Sequence, residues 1–232
     1  MKISLRKTSL VDYPGRVAGV LFFPGCTLRC PWCHNRDLVL GNDHLDFIFL
    51  DEALKHLEKR CAVLGGAVLS GGEPTLYEEL PELIQRIKKL GLAVKIDTNG
   101  MEPAMLERLL DAEETAPDYI ALDLKVAPWR YAFLGHTCED PENMLAASAG
   151  LIRDAGIPHE FRTLVFPHKF VTPEDIESLA FLVDDAPWYF RIFRPGNCLD
   201  PAWNNLNAAE FRDAETLAKY AQALGKRGMC PL

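Results

Sequence analysis

Val17-Ala18-Gly19-Val20-Leu21-Phe22-Phe23 runs directly into Pro24-Gly25 and then into Cys26-Thr27-Leu28-Arg29-Cys30-Pro31-Trp32-Cys33. An apolar run without polar alternation reads as a strand buried on both faces, and such strands belong to parallel sheets. Pro24-Gly25 end it. The cysteines follow in C-x3-C-x2-C spacing, close enough for one loop to wrap three thiolates around one inorganic core. Thiolates are soft ligands that suit iron–sulfur clusters and zinc. Three local thiolates leave the fourth corner of a cubane open to a small molecule, which favours a catalytic site over an electron wire. The alternative is structural zinc on these cysteines with His34 or a distant cysteine. Zinc sites usually bring two separated ligand pairs, and Cys61, Cys138, Cys198 and Cys230 are each isolated.

The same unit, an apolar run closed by a turn and followed by a helix, recurs along the chain. Ala67-Val68-Leu69 leads to Ser70-Gly71-Gly72-Glu73-Pro74. Thr75 with Glu78 reads as a capping box opening a helix whose buried face carries Leu76, Leu80, Leu83, Ile84, Ile87 and Leu90. Ala93 to Ile96 leads to Asp97-Thr98-Asn99-Gly100, and Tyr119 to Leu122 leads to Asp123-Leu124-Lys125. Phe161 to Phe166 and Trp188 to Phe193 supply the fifth and sixth strands. Helices fall around Leu50–Leu57, Met105–Leu110 and residues 142–153, then after Thr172-Pro173-Glu174-Asp175, a strong helix start. A final helix is expected from Asn207.

Six strand–helix alternations demand a parallel sheet with helices outside. A closed eight-unit barrel takes about 250 residues, so the expectation is a partial (β/α)6 TIM-like barrel, α/β in class and open on one side. Residues 1–15 read as an N-terminal cover, 16–193 as the barrel and 194–232 as an extension with one helix, all within one domain.

A net charge of −8 argues against a nucleic-acid or anionic-membrane partner. No stretch approaches the roughly 18 apolar residues of a membrane span, and Met1 to Lys7 lead into no secretory apolar region. A cytoplasmic, reducing setting is expected, where grouped cysteines mean metal or catalysis.

Catalytic groups in curled parallel sheets lie at the carboxyl ends of the strands. There the chain places its cysteines, Gly71-Gly72-Glu73, Asp97, Asp123 with Lys125, and Arg162. Taken singly, each has a plainer reading. Gly71-Gly72 could be only a tight turn, although it would also let backbone approach a ligand. Glu73 could then accept from a ligand ammonium. Asp123 and Lys125, two apart on one strand face, could be an ion pair. Asp97 could cap a turn. Arg162, at an inward position, needs an anionic partner from the protein or from a ligand.

These motifs, in this order, resemble the radical S-adenosylmethionine (radical SAM) enzymes that activate glycyl radical enzymes, the pyruvate formate-lyase type among them. Ser9-Leu10-Val11-Asp12-Tyr13-Pro14-Gly15 and Phe193-Arg194-Pro195-Gly196 look more like the branch named for anaerobic ribonucleoside-triphosphate reductase. The resemblance implies that Cys26, Cys30 and Cys33 hold a [4Fe–4S] cluster whose fourth iron chelates S-adenosylmethionine. It implies that Gly71, Gly72 and Glu73 orient the cofactor's amino group, that Asp97, Asp123 and Lys125 contact it, and that Trp32 lies near its adenine. The reduced cluster would cleave the cofactor to a 5′-deoxyadenosyl radical, which takes hydrogen from a glycine of a partner protein. Residues 34–66 hold only Cys61, so no auxiliary cluster is expected and an external donor such as flavodoxin or ferredoxin must supply the electron. The strand-six histidine of the pyruvate formate-lyase type is missing, with Arg194 or Asn197 as substitutes. A radical SAM enzyme acting on a small molecule is the alternative, and a non-enzymatic iron–sulfur or zinc protein is the third reading.

Overall fold

The computed structural model describes residues 1–41, 46–135, 140–166 and 171–206, together with 215, 217–219, 221, 222 and 224. Its centre is a sheet of eight strands in the order β3-β1-β2-β4-β5-β6-β7-β8. These are β1 Lys2–Ser9, β2 Ala18–Phe23, β3 Phe47–Phe49, β4 Gly66–Gly71, β5 Ala93–Thr98, β6 Tyr119–Asp123, β7 His159–Val165 and β8 Trp188–Ile192. From β2 onward, leaving aside the short β3, each strand lies parallel to the one before it, as the six alternations require. Among the described residues β8 pairs only with β7 and β3 only with β1, so the sheet does not close.

Helices α1 Arg36–Leu40, α2 Leu50–Arg60, α3 Leu80–Lys89, α4 Pro103–Leu110, α5 Pro141–Asp154 and α6 Pro173–Val183 connect the strands. Leu54, Leu57, Ile84, Ile87 and Leu109 pack with Leu21, Leu69, Val94 and Ile96 of the sheet. Ile152, Ile176 and Leu179 pack with Leu122, Phe161 and Val165 further along it. The opposite, inner face is read from the register. Val20, Val68, Lys95 and Tyr119 share one rung, and Asp123 and Arg162 are paired nearer the carboxyl ends. The amino-terminal end of that interior is plugged by Tyr13, Ala18, Val20 and Val68. No described helix is long and apolar enough to cross a membrane.

Three expectations change. Residues 2–9 form β1, which pairs antiparallel with β2 and so joins the sheet instead of merely covering it. The three-residue strand β3 has no announcing pattern. Thr75 does not cap a helix: it lies in a 3₁₀ turn, Pro74–Leu76, and α3 begins at Leu80. The cause is competition for the threonine. Buried Glu73 takes both the N–H and the hydroxyl of Thr75, while Glu78 stays exposed and pairs with Arg108. The expected helix from Asn207, and Cys138 and Cys230, lie outside the described residues apart from a few positions of that helix.

The Thr172 start is as read. Its hydroxyl accepts from the Asp175 N–H at 3.2 Å, and Asp175 accepts from the Thr172 N–H at 2.7 Å. Asp175 also accepts from Ala127 N–H at 3.1 Å and from Arg130 at 2.5 Å. One buried carboxylate thus fastens α6 to the 3₁₀ turn Pro128–Leu134. Asp175→Ala should lower folding stability by about 2–4 kcal/mol, read as a drop in the urea midpoint without a change in slope.

Candidate active site

The cysteine loop is irregular backbone, and its shape is set by neighbouring segments. Gly25 N–H donates to Leu38 O at 3.0 Å, and Gly25 O accepts from Glu73 N–H at 2.9 Å. Gly72 N–H donates to Phe23 O at 2.8 Å, and Arg29 N–H to Leu134 O. The glycine pair is required by this contact. A Cβ on Gly72 would lie 1.7 Å from Gly25 O, and Gly71 has φ +120° with its Cβ position 2.4 Å from Phe23 N. The close approach that Gly71-Gly72 permit is therefore to the backbone leading into the cysteines. Asn35 strengthens the seam by donating to Gly71 O at 2.9 Å.

Cys26, Cys30 and Cys33 line one cavity of about 640 Å³. Burial pushes the Cys26 thiol up to about 11, with Glu73 adding to the effect. Burial pushes Cys30 to about 12 and raises Cys33 as well. Without metal these are thiols, and a bound cationic core would deprotonate them. Trp32 is buried in an aromatic cluster, its ring centroid 4.4 Å from Phe166 and 5.3 Å from Trp203.

Below the cavity rim the sheet interior holds a compact set of charges. Arg162 Nε donates to Asp123 Oδ1 at 2.6 Å, and its Nη1 lies 3.3 Å from Asp97 Oδ1 and 3.7 Å from Glu160 Oε1. Lys125 Nζ donates to Asp123 Oδ2 at 2.9 Å, Lys95 pairs with Asp97, and Tyr119 donates to Glu160 at 2.9 Å. Three cations thus balance three carboxylates. Burial alone would raise the Asp97 and Asp123 carboxyls. Arg162, joined by Lys95 at Asp97 and Lys125 at Asp123, outweighs it and holds both below the ordinary carboxylate range. Burial likewise opposes the Lys125 charge, and Asp123 outweighs it.

The expected site residues take different places in this arrangement. Asp97, Asp123 and Lys125 line the cavity, as do Gly71 and Gly72. Arg162 is not among the lining residues and finds its anions in protein carboxylates. Glu73 reaches the cavity wall with its oxygens engaged: Thr75 N–H, Thr75 Oγ1, Thr98 Oγ1 and Asn99 N–H all donate to it. Burial pushes its carboxyl up, and those donors pull it back. At the end of β8, Arg191 and Arg194 line the cavity, and Asn197 does not appear in its wall. Arg191 Nε is buried without a hydrogen-bond partner among the described residues. Cys61 is exposed and Cys198 is buried in the core. Sequence reasoning missed Lys95 and Glu160. Each lies two residues from a recognised inward charge, Asp97 and Arg162, and the strand period of two was the signal available.

The donor set fits an iron–sulfur cluster. It offers three thiols from one loop around one cavity. Soft thiolates in this number on one short loop suit iron–sulfur ligation. The adjoining carboxylates and lysine suit a zwitterionic amino acid moiety.

Comparison with known proteins agrees with the geometry. Residues 20–183 match the model of the Radical SAM superfamily. A protein of Methanocaldococcus jannaschii named as a glycyl-radical enzyme activating enzyme is 32% identical over 219 residues, 92% of this chain and 88% of that one. The pyruvate formate-lyase-activating enzyme of Listeria monocytogenes is 32% identical over 193 residues, covering 79% of this chain and 76% of its own. Among solved structures, Streptococcus suis SuiB bound to S-adenosylmethionine superposes with a TM-score of 0.59 at 14% identity. That match covers 90% of this chain, which spans half the length of SuiB, and it speaks for the fold alone.

Arg162→Met should cost about 3–5 kcal/mol at neutral pH, because it leaves Asp97 and Asp123 adjacent without their common cation. Carboxyls held low contribute stability above their unfolded value of about 3.9, and that stability is lost as pH falls through the folded value. The gap between wild type and Arg162→Met should therefore shrink below about pH 4. Urea midpoints at neutral pH and in acid check both parts.

Proposed function

The chain belongs to the Radical SAM superfamily and to its glycyl-radical enzyme activating enzymes, and on that premise we propose that it installs the radical on anaerobic ribonucleoside-triphosphate reductase. The superfamily works with a [4Fe–4S] cluster and S-adenosylmethionine, which together supply one electron and a carbon radical able to take hydrogen from a C–H bond. The observation that carries the reading is one cavity in which three loop thiols meet a paired carboxylate–lysine rim.

In this reading Cys26, Cys30 and Cys33 hold three irons. Lys125 receives the cofactor's carboxylate, and Asp97 and Asp123 receive its hydroxyl and ammonium donors. Their oxygens are already fixed by Arg162 and Lys95, so binding needs little rearrangement. Gly71, Gly72 and Glu73 hold the seam between the cysteine loop and the rim, and from there would orient the amino group. Trp32, Leu164 and Phe190 form the apolar wall that excludes water. Arg191 and Arg194 take the place of the absent strand-six histidine. The sheet, which does not close among the described residues, supports a polypeptide substrate, because a loop carrying the target glycine can approach the cavity beside β8. A one-electron donor of the flavodoxin or ferredoxin kind would supply the reductant.

Pyruvate formate-lyase is the second partner reading, favoured by the match to the Listeria enzyme. The opening Ser9-Leu10-Val11-Asp12-Tyr13-Pro14-Gly15 and closing Phe193-Arg194-Pro195-Gly196 resemble the reductase-activating branch and so favour the reductase.

Anaerobic protein reconstituted with iron and sulfide, reduced and given S-adenosylmethionine, should form 5′-deoxyadenosine, and Cys30→Ala should lose at least a hundredfold while keeping the fold. Glycyl radical should then appear by electron paramagnetic resonance on the reductase when the two partners are supplied separately. Radical only on pyruvate formate-lyase would move the assignment to that partner. Turnover of a free metabolite with neither protein would overturn it.

A further inference from the structure

We propose that the Asn99 carboxamide raises the reduction potential of the cluster by donating an N–H to the Cys26 sulfur. The proposal rests on the radical SAM reading and adds to it a residue with a defined electronic task.

Asn99 follows β5 and is 4% exposed. Its Nδ2 lies 3.6 Å from Cys26 Sγ and 3.0 Å from Thr27 Oγ1. A carboxamide has two N–H donors, so both contacts can be made together. The orientation of the amide is settled by chemistry. Asn99 Oδ1 accepts from Met101 N–H at 2.9 Å, and a flipped amide would set two donors against each other there. The nitrogen must therefore face the cysteine loop. The backbone is fixed too, because Asn99 N–H donates to Glu73 Oε2 at 2.8 Å. Glu73 in turn holds Thr75 and Thr98. Leu28 N–H, at 3.4 Å from the same sulfur, makes Cys26 the acceptor of two donors.

Hydrogen bonds to ligand sulfurs draw electron density from the metal core and stabilise its reduced form. The electron accepted from the external donor is the one this stabilises. A neutral amide does this without adding a titrating group to a rim whose charges are already balanced.

A turn residue alone would need only the acceptor. Aspartate at this position keeps the oxygen that receives Met101 N–H and loses both donors, so it separates the two roles. Asn99→Asp and Asn99→Ala would be reconstituted, assayed for iron and sulfide, and titrated reductively without S-adenosylmethionine under paramagnetic resonance detection. At the wild-type midpoint the ratio of reduced to oxidised cluster should fall about tenfold in Asn99→Ala, and further in Asn99→Asp. Thr27→Val, which removes the competing acceptor, should not lower it. Full clusters with ratios within twofold of wild type overturn the proposal, as does loss of the cluster from both variants, which would leave Asn99 a purely structural role. Failure of the wild type to take up a cluster would instead sink the assignment of Cys26, Cys30 and Cys33 as its ligands.

Discussion

The interior of this sheet depends on one guanidinium. Asp97 and Asp123 stand on adjacent strands, and like charges so close would keep one of them protonated. Arg162 reaches both, and Glu160 as well, from a single planar head. A lysine presents a point charge and could not bond along several directions at fixed angles. The pairing also coincides with backbone register, since Asp123 and Arg162 are partners across β6 and β7. Sheet hydrogen bonds and ion pairs therefore enforce the same alignment, and slippage by one residue would turn the charges into the apolar helix layer.

That network makes an open barrel workable. Parallel sheets ordinarily bury both faces. Here the outer face meets helices, while the inner face is filled at its amino-terminal end by an apolar cluster around Tyr13 and Val20. Higher up it is held together by charges. Lys95, 2% exposed, is the extreme case: its ammonium pairs with Asp97 and lies 6.0 Å from the Tyr119 ring. Replacing such groups with apolar ones is often neutral for stability, so what they contribute here is the fixed position of Asp97 and Asp123 at the cavity.

Much of this was legible. Apolar runs and turn residues gave the parallel strands, because burial on both faces leaves a continuous signal. The rim residues were legible because strand ends are where such sheets do chemistry. The failures share a cause. Thr75 and Glu78 satisfy a local capping rule, but a buried carboxylate 25 or 26 residues from its other donors, Thr98 and Asn99, took the threonine. The Gly71-Gly72 pair signalled a close approach correctly, yet its neighbour, the Phe23–Gly25 backbone, lies almost fifty residues away. β3 has three residues and exists because β1 offers an edge. Local patterns cannot report partners that only the folded topology supplies.

Glu73 shows how these parts combine. A buried carboxylate is tolerable only when its oxygens are satisfied, and this one gathers donors from its own turn and from the end of β5. Its backbone N–H meanwhile holds Gly25, at the mouth of the cysteine loop. One residue thus links the strand that precedes the cysteines, the glycine seam and the residue that touches Cys26. An irregular loop fixed at this many points loses little further freedom when its cofactors arrive. Order established by folding, not by binding, is what lets three thiols and a charged rim share a cavity at defined positions.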